Sequence, residues 1–192
     1  MPSDTQATKQ QMRREIREKL KAIPVTEKQV FSQNARSLLI AQQRWQNARS
    51  ILFHAPMAGE LDLWPLVGEA LAASRTVALP RFVPEDNLYI VCEIENTDGD
   101  LEPGQFGIRE PAEDCRQISL NRLDLILVPG VAFDLQGRRL GRGKGYYDQL
   151  LAEVRGPICG VAFDEQIVAE VPLEPHDVVV DCILTPTRWL EL

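Results

Sequence analysis

The sequence predicts an α/β fold, a single-domain open, largely parallel sheet with helices on both faces, Rossmann-like in outline. Three observations predict it. Short apolar runs bounded by turn residues alternate with segments of helical periodicity. One run, residues 125–128, is continuously apolar and stops at Pro129-Gly130, as a buried strand stopped by a turn does. The chain has 192 residues, 44% hydrophobic and 26% charged, which suits one domain with a sizeable core. Residues 1–8 are expected to be a flexible N-terminus ahead of one domain over 9–192.

The elements follow in order. Met12, Ile16, Leu20 and Ile23 mark the apolar stripe of a first helix over about 8–21. Pro24 breaks it, and Thr26-x-x-Gln29 reads as a capping box for a second helix. That helix carries Val30, Phe31, Ala35, Leu38 and Leu39 and extends towards Trp45. Residues 50–55, ending at Ala55, form a first strand, followed by a loop through Glu60. Asp62 caps a helix that carries Leu66, Val67, Leu71 and Ala72. Residues 76–79 and 88–94 are the next strands. Residues 95–117 are irregular and too long for a mere connector, which predicts a functional loop or lid. Beyond residue 154, strands are expected over 158–162 and 178–184, with a helical turn at 165–169. Ligands of such sheets bind beyond the C-terminal ends of the strands. Glu60, residues 130–148 and the loop before Asp164 belong on that edge.

The richest stretch joins strand 125–128 to a helix beginning near Gly145. Between them lie four glycines (Gly137, Gly141, Gly143, Gly145) and four cations (Arg138, Arg139, Arg142, Lys144). Glycine lets a backbone approach a ligand closely, and the unpaired N–H groups of a first helical turn favour an anion. The stretch is neither a P-loop, because Gly145 follows Lys144, nor a dinucleotide fingerprint, because Tyr146 stands where the third glycine is needed. It reads as a phosphate loop of another kind. The competing reading is a solvated surface loop, which the interleaved glycines weaken.

The net charge of −7 disfavours a nucleic-acid or anionic-membrane surface. No apolar run approaches the ~20 residues of a membrane helix. The N-terminal residues lack an apolar signal core, and the four cysteines are scattered without a C-x-x-C pair. A cytoplasmic protein with reduced thiols is the expectation.

The run from Gly137 to Asp148, preceded by Val128-Pro129-Gly130 and Phe133-Asp134, resembles the VPG-x-x-FD and G-x-R-x-G-x-G-x-GYYD segments of the 5-formyltetrahydrofolate cyclo-ligase family. Lys9 and Arg13, the segment Phe106-Gly107-Ile108-x-Glu110-Pro111, and Val171-Pro172, His176-Asp177 and Asp181 resemble further family segments. The resemblance implies ATP- and Mg2+-dependent closure of 5-formyltetrahydrofolate to 5,10-methenyltetrahydrofolate, with release of ADP and phosphate. It implies that Lys9, Arg13 and the segment Arg139, Leu140, Gly141, Arg142, Gly143, Lys144, Gly145, Tyr146 and Tyr147 bind ATP. Ala55, Glu60, Arg142, Gly143, Lys144, Gly145 and Tyr146 would meet the folate. Arg142 and Lys144 would be catalytic, stabilising charge on the transferring phosphoryl group. Asp148 and Asp181 would hold the metal. Both nucleophiles of this reaction belong to the substrate, so no Ser-His-Asp or Cys-His constellation is needed.

Tyr146, Tyr147, Phe106 and Phe133 are candidates for an aromatic wall, although most aromatics in such runs are core. Some relatives carry a Trp in the lid, whereas residues 98–105 here have none. A monomer is expected, with ATP and a folate as its partners. The alternatives are a sugar-phosphate isomerase-like enzyme or a non-catalytic nucleotide-binding module on the same scaffold.

Overall fold

In the computed structural model, which describes residues 4–192, alternate residues of the central strands enter two different cores. The strands are β1 (Ser50–Leu52), β2 (Thr76–Val83), β3 (Leu88–Ile94), β6 (Leu125–Pro129), β9 (Ile158–Val161), β10 (Cys182–Leu184) and β11 (Trp189–Glu191). Ile51, Val77, Leu79, Leu125, Leu127, Cys159, Val161, Cys182 and Leu184 pack on one face. Leu52, Ala78, Ile126, Val128, Ile158 and Ile183 pack on the other. Side chains of a strand alternate between faces, so apolar residues at successive positions require cover on both sides.

Helices provide that cover. On the first face lie α2 (Val25–Ile40), α3 (Gln43–Asn47) and α4 (Pro65–Ala72), through Leu39, Trp45, Leu66 and Val67. On the second lies α5 (Tyr146–Leu151), through Leu150 and Leu151. The first helix, α1 (Asp4–Ala22), packs Ile16 against Ala132, Leu140 and Val171. It starts four residues before the expected residue 8, and residues 1–3 of the expected flexible terminus lie outside the described residues.

The seven-stranded sheet has the order β11-β10-β9-β6-β1-β2-β3. The five inner strands are mutually parallel, and β3 and β11 add antiparallel edges. Taken in chain order, the parallel strands run 2-1-3-4-5, the flavodoxin-like form of the doubly wound fold. The order reverses between β1 and β6, and that crevice is where such sheets receive ligands.

Several expected boundaries shift. The capping box does not form: α2 has Pro24 at its N-cap, Thr26 is already helical, and no side chain caps the end. The helix ends at Ile40, and Trp45 belongs to α3. Asp62 does not cap α4 directly; its Oδ1 accepts the Trp64 N–H at 2.8 Å, and Pro65 begins the helix. β1 is shorter than expected and β2 longer. The irregular stretch 95–117 contains a hairpin, β4 (Leu101–Pro103) and β5 (Arg109–Pro111). The glycine-rich loop contains another, β7 (Ala132–Phe133) and β8 (Arg139–Leu140).

Candidate functional site: a cationic cavity at the switch point

The turn after β6 needs glycine for space. A Cβ on Gly130 would lie 2.5 Å from the Phe133 ring, and one on Gly160 would also meet that ring at 2.5 Å. Phe133 is fully buried between them, so it is core and not a ligand wall. Gln166 fixes the same turn from beneath: its Nε2 donates to the carbonyls of Gly130 (2.7 Å) and Val131 (3.0 Å). Asp134, also fully buried, accepts the N–H groups of Gln136, Arg138 and Val171 and so closes the β7–β8 hairpin.

Above this floor is a cavity of about 260 Å³. Ala55 and Met57 beyond β1, Pro80 on β2, and Pro129 and Gly130 at the end of β6 line one part of it. Tyr89, Ile108, Tyr146 and Tyr147 form an apolar wall, and Arg109, Arg139, Arg142 and Lys144 supply positive charge. Burial pushes the Tyr89 hydroxyl up to about 12 and raises that of Tyr147, so both remain neutral phenols at physiological pH. Tyr146 packs edge-on against Tyr89, with centroids 5.6 Å apart, and tilted against Phe82 at 5.1 Å.

The four loop cations do different work. Arg138 turns away from the cavity to Glu170, at 2.8 Å. Arg139, with a side chain 2% exposed, meets Asp148 at 2.5 Å and is structural as much as ligand-facing. Arg142 pairs with Glu60 at 2.5 Å, and the second oxygen of Glu60 accepts the Met57 N–H. Among the described residues, Lys144 has neither an ion pair nor a side-chain hydrogen bond, and it lines the cavity. Two glycines with φ of +98° (Gly143) and +75° (Gly145) shape the loop; other residues rarely adopt such angles. The helix that follows has only six residues, and Gly145 caps it in a left-handed conformation. A helix this short offers little dipole, so the positive charge at the cavity comes from Arg109, Arg139, Arg142 and Lys144.

Of the residues expected at the site, Ala55, Glu60, Arg139, Gly141, Arg142, Lys144, Gly145, Tyr146, Tyr147 and Asp148 line this cavity. Leu140 and Gly143 do not; Leu140 is buried against α1. Arg13 supports the loop from outside the cavity, its Nε donating to the Gly141 carbonyl at 2.9 Å. Lys9 is 3% exposed and bonded to Asp177 (2.6 Å) and Glu174 (2.8 Å). Burial alone would lower its pKa, but those two carboxylates outweigh it and hold the ammonium above its ordinary value. The charge of Lys9 is thus already met by those two carboxylates.

Asp181 lies apart from the cavity. It stands just before β10, at the N-terminal edge of the parallel strands, and accepts the Ile158 N–H at 2.7 Å. Asp148 lines the cavity at the opposite edge, so the two carboxylates do not form one metal centre. Glu174, His176 and Asp177 have ligand atoms within 4.8 Å of one another, but the Lys9 ammonium sits among their oxygens. The side chain of Phe106 lies outside the described residues. Tyr89, Ile108, Gln166 and Asp134 were missed from the sequence. Ile108 and Asp134 stand inside matched segments and could have been found; Tyr89 and Gln166 carry no local signal.

Fold and cavity together define a doubly wound α/β protein with a cation-lined cavity at its switch point. The 5-formyltetrahydrofolate cyclo-ligase family matches over residues 5–186, and the chain belongs to that family. It is a ligase. The 5-formyltetrahydrofolate cyclo-ligase of Mus musculus is 30% identical, with 93% of each chain covered. The solved structure of the Aquifex aeolicus 5,10-methenyltetrahydrofolate synthetase superposes with a TM-score of 0.85 at 34% identity, covering 96% of this chain and 92% of that one. The Mycoplasma pneumoniae 5,10-methenyltetrahydrofolate synthetase shares the fold, with a TM-score of 0.74 at 24% identity over 93% of this chain and 98% of that one.

Proposed function

We propose that the chain uses ATP to close 5-formyltetrahydrofolate to 5,10-methenyltetrahydrofolate, releasing ADP and phosphate. The observation that carries this is one cavity with a neutral aromatic wall on one side and an unpaired Lys144 beside Arg142 on the other. The formyl oxygen is an amide oxygen and a poor leaving group. Its attack on the terminal phosphorus of ATP releases ADP and makes it a good one. N10 of the same substrate then attacks the formyl carbon, and phosphate departs.

The chain's part is to orient two substrates and neutralise charge. Lys144 and Arg142 hold the phosphoryl oxygens and stabilise the charge that moves between them. The Gly141–Gly145 backbone approaches the phosphates. Glu60 accepts hydrogen bonds from the N–H and amino donors of the pterin. Tyr89 and Tyr146 wall the ring. Magnesium needs one or two carboxylates with phosphate oxygens and water, and Asp148, which lines the cavity and engages Arg139 through Oδ1, would be the carboxylate that holds it. Bound there, the metal would neutralise phosphate charge. The same proposal takes the protein as a cytoplasmic monomer, and its four free cysteines support a reducing compartment.

The test follows absorbance of the methenyl product with ATP, magnesium and 5-formyltetrahydrofolate. Wild type should turn over, and Lys144→Ala should lose about 10²-fold or more in rate. Absence of ATP-dependent product from wild type defeats the function. A wild-type rate in Lys144→Ala defeats the assigned role.

A further inference from the structure

Asn87 touches none of the cavity, yet it holds the far end of the wall. It occupies the last position of the turn between β2 and β3 with φ of +53°. Among non-glycine residues, Asn tolerates that left-handed conformation best. Its Oδ1 accepts the hydroxyl of Tyr146 at 2.9 Å. Tyr146 belongs to the other side of the site, at the first position of α5 directly after Gly145. Its ring is then fixed at three places: edge-on to Tyr89, tilted on Phe82, and at the hydroxyl by Asn87. Tyr89 and Phe82 belong to the β2–β3 hairpin, as Asn87 does. The hydrogen bond is therefore the polar end of a contact that joins the hairpin to the phosphate loop across the cavity.

We propose that Asn87 is a positioning residue: by binding the Tyr146 hydroxyl it sets the ring as the wall against which the folate lies. This rests on the function proposed above. At the foot of a six-residue helix preceded by glycines at positive φ, this hydrogen bond adds the polar tether to the two ring contacts. Without the acceptor the ring can turn out of the plane that the substrate needs, and a misplaced wall weakens folate binding before it alters phosphoryl transfer.

Three substitutions separate the acceptor from the backbone. Asn87→Gly keeps the left-handed turn and removes the acceptor. Asn87→Asp keeps an acceptor and a side chain that tolerates the turn. Tyr146→Phe keeps the ring and removes the donor. Asn87→Gly and Tyr146→Phe should each raise the folate KM about threefold to tenfold, as loss of one ordinary hydrogen bond does, and in Asn87→Gly kcat and the ATP KM should stay within about twofold. Their combination should add nothing further, because both remove the same bond. Asn87→Asp should recover the folate KM. The proposal is overturned if the single variants keep the wild-type folate KM, if the double variant is additive, or if kcat alone falls. Failure of wild type to form the methenyl product would instead sink the assigned function, so the two failures are distinguishable.

Discussion

The Arg139–Asp148 pair offers the sharpest separation of structure from chemistry. Arg139 is 2% exposed and Asp148 15% at their side chains, with 2.5 Å between them. Arg139 also donates to the Pro129 carbonyl at 3.4 Å, and its guanidinium lies 5.8 Å from the Tyr147 ring centroid. Removing one member of such a pair leaves an uncompensated charge away from water, which costs about 3–5 kcal/mol. Arg139→Met and Asp148→Leu should each lose that much. For a chain of this size the midpoint of thermal unfolding should fall by roughly 6–20 °C. The double variant places two apolar side chains side by side, so its loss should be well short of the sum, with a coupling of about 2–4 kcal/mol. Urea unfolding followed by far-ultraviolet circular dichroism measures all three. Activity adds the second reading: the double variant should recover much of the stability and none of the turnover, since the carboxylate assigned to magnesium is gone. Strictly additive losses would refute the pairing argument, and turnover restored in the double variant would refute the role given to Asp148.

Two further outcomes follow from packing and protonation. In Gly160→Ala the new methyl meets the buried Phe133 ring at 2.5 Å, and overpacking of this kind costs about 1–3 kcal/mol; a melt should show a midpoint lower by about 2–12 °C, with part of it regained in Gly160→Ala/Phe133→Leu. His54 is 7% exposed, with an unpartnered Nδ1, and burial lowers its pKa below the ordinary 6.5. The unfolded chain then takes up the proton first as pH falls. The stability from burying a neutral ring is therefore present above about pH 6.5 and lost on acidification through and below it. Between pH 7 and 5.5 wild type should lose about 1 kcal/mol in urea unfolding, and His54→Leu should show a flatter profile.

Much of this fold was legible because the central strands are apolar at every position, so both faces had to be covered. The bounds of β3 were read correctly, but its direction was not, since antiparallel pairing depends on the short turn before it. The β7–β8 hairpin was invisible because two-residue strands leave no period to detect. Composition also could not show that neighbouring cations part company. Successive residues of an extended chain point to opposite sides, so Arg138 reaches Glu170 while Arg139 reaches Asp148. The ion pairs of Lys9 were not legible because its partners, Glu174 and Asp177, lie 165 and 168 residues away along the chain. The edge on which Asp181 falls was not legible, because a motif gives residue order, whereas the position of an acid on the sheet depends on where its strand begins.

The contact between Glu60 and Arg142 has a thermodynamic consequence. Under the proposed chemistry one of these groups serves the pterin and the other serves the triphosphate, yet in the free protein each occupies the other. Whichever substrate arrives first must break the pair, and it leaves the remaining partner ready for the second. The first to bind bears the disruption and the second is spared it, so each should tighten the affinity for the other by the same factor. Two lone residues would thus make filling of the site a concerted event.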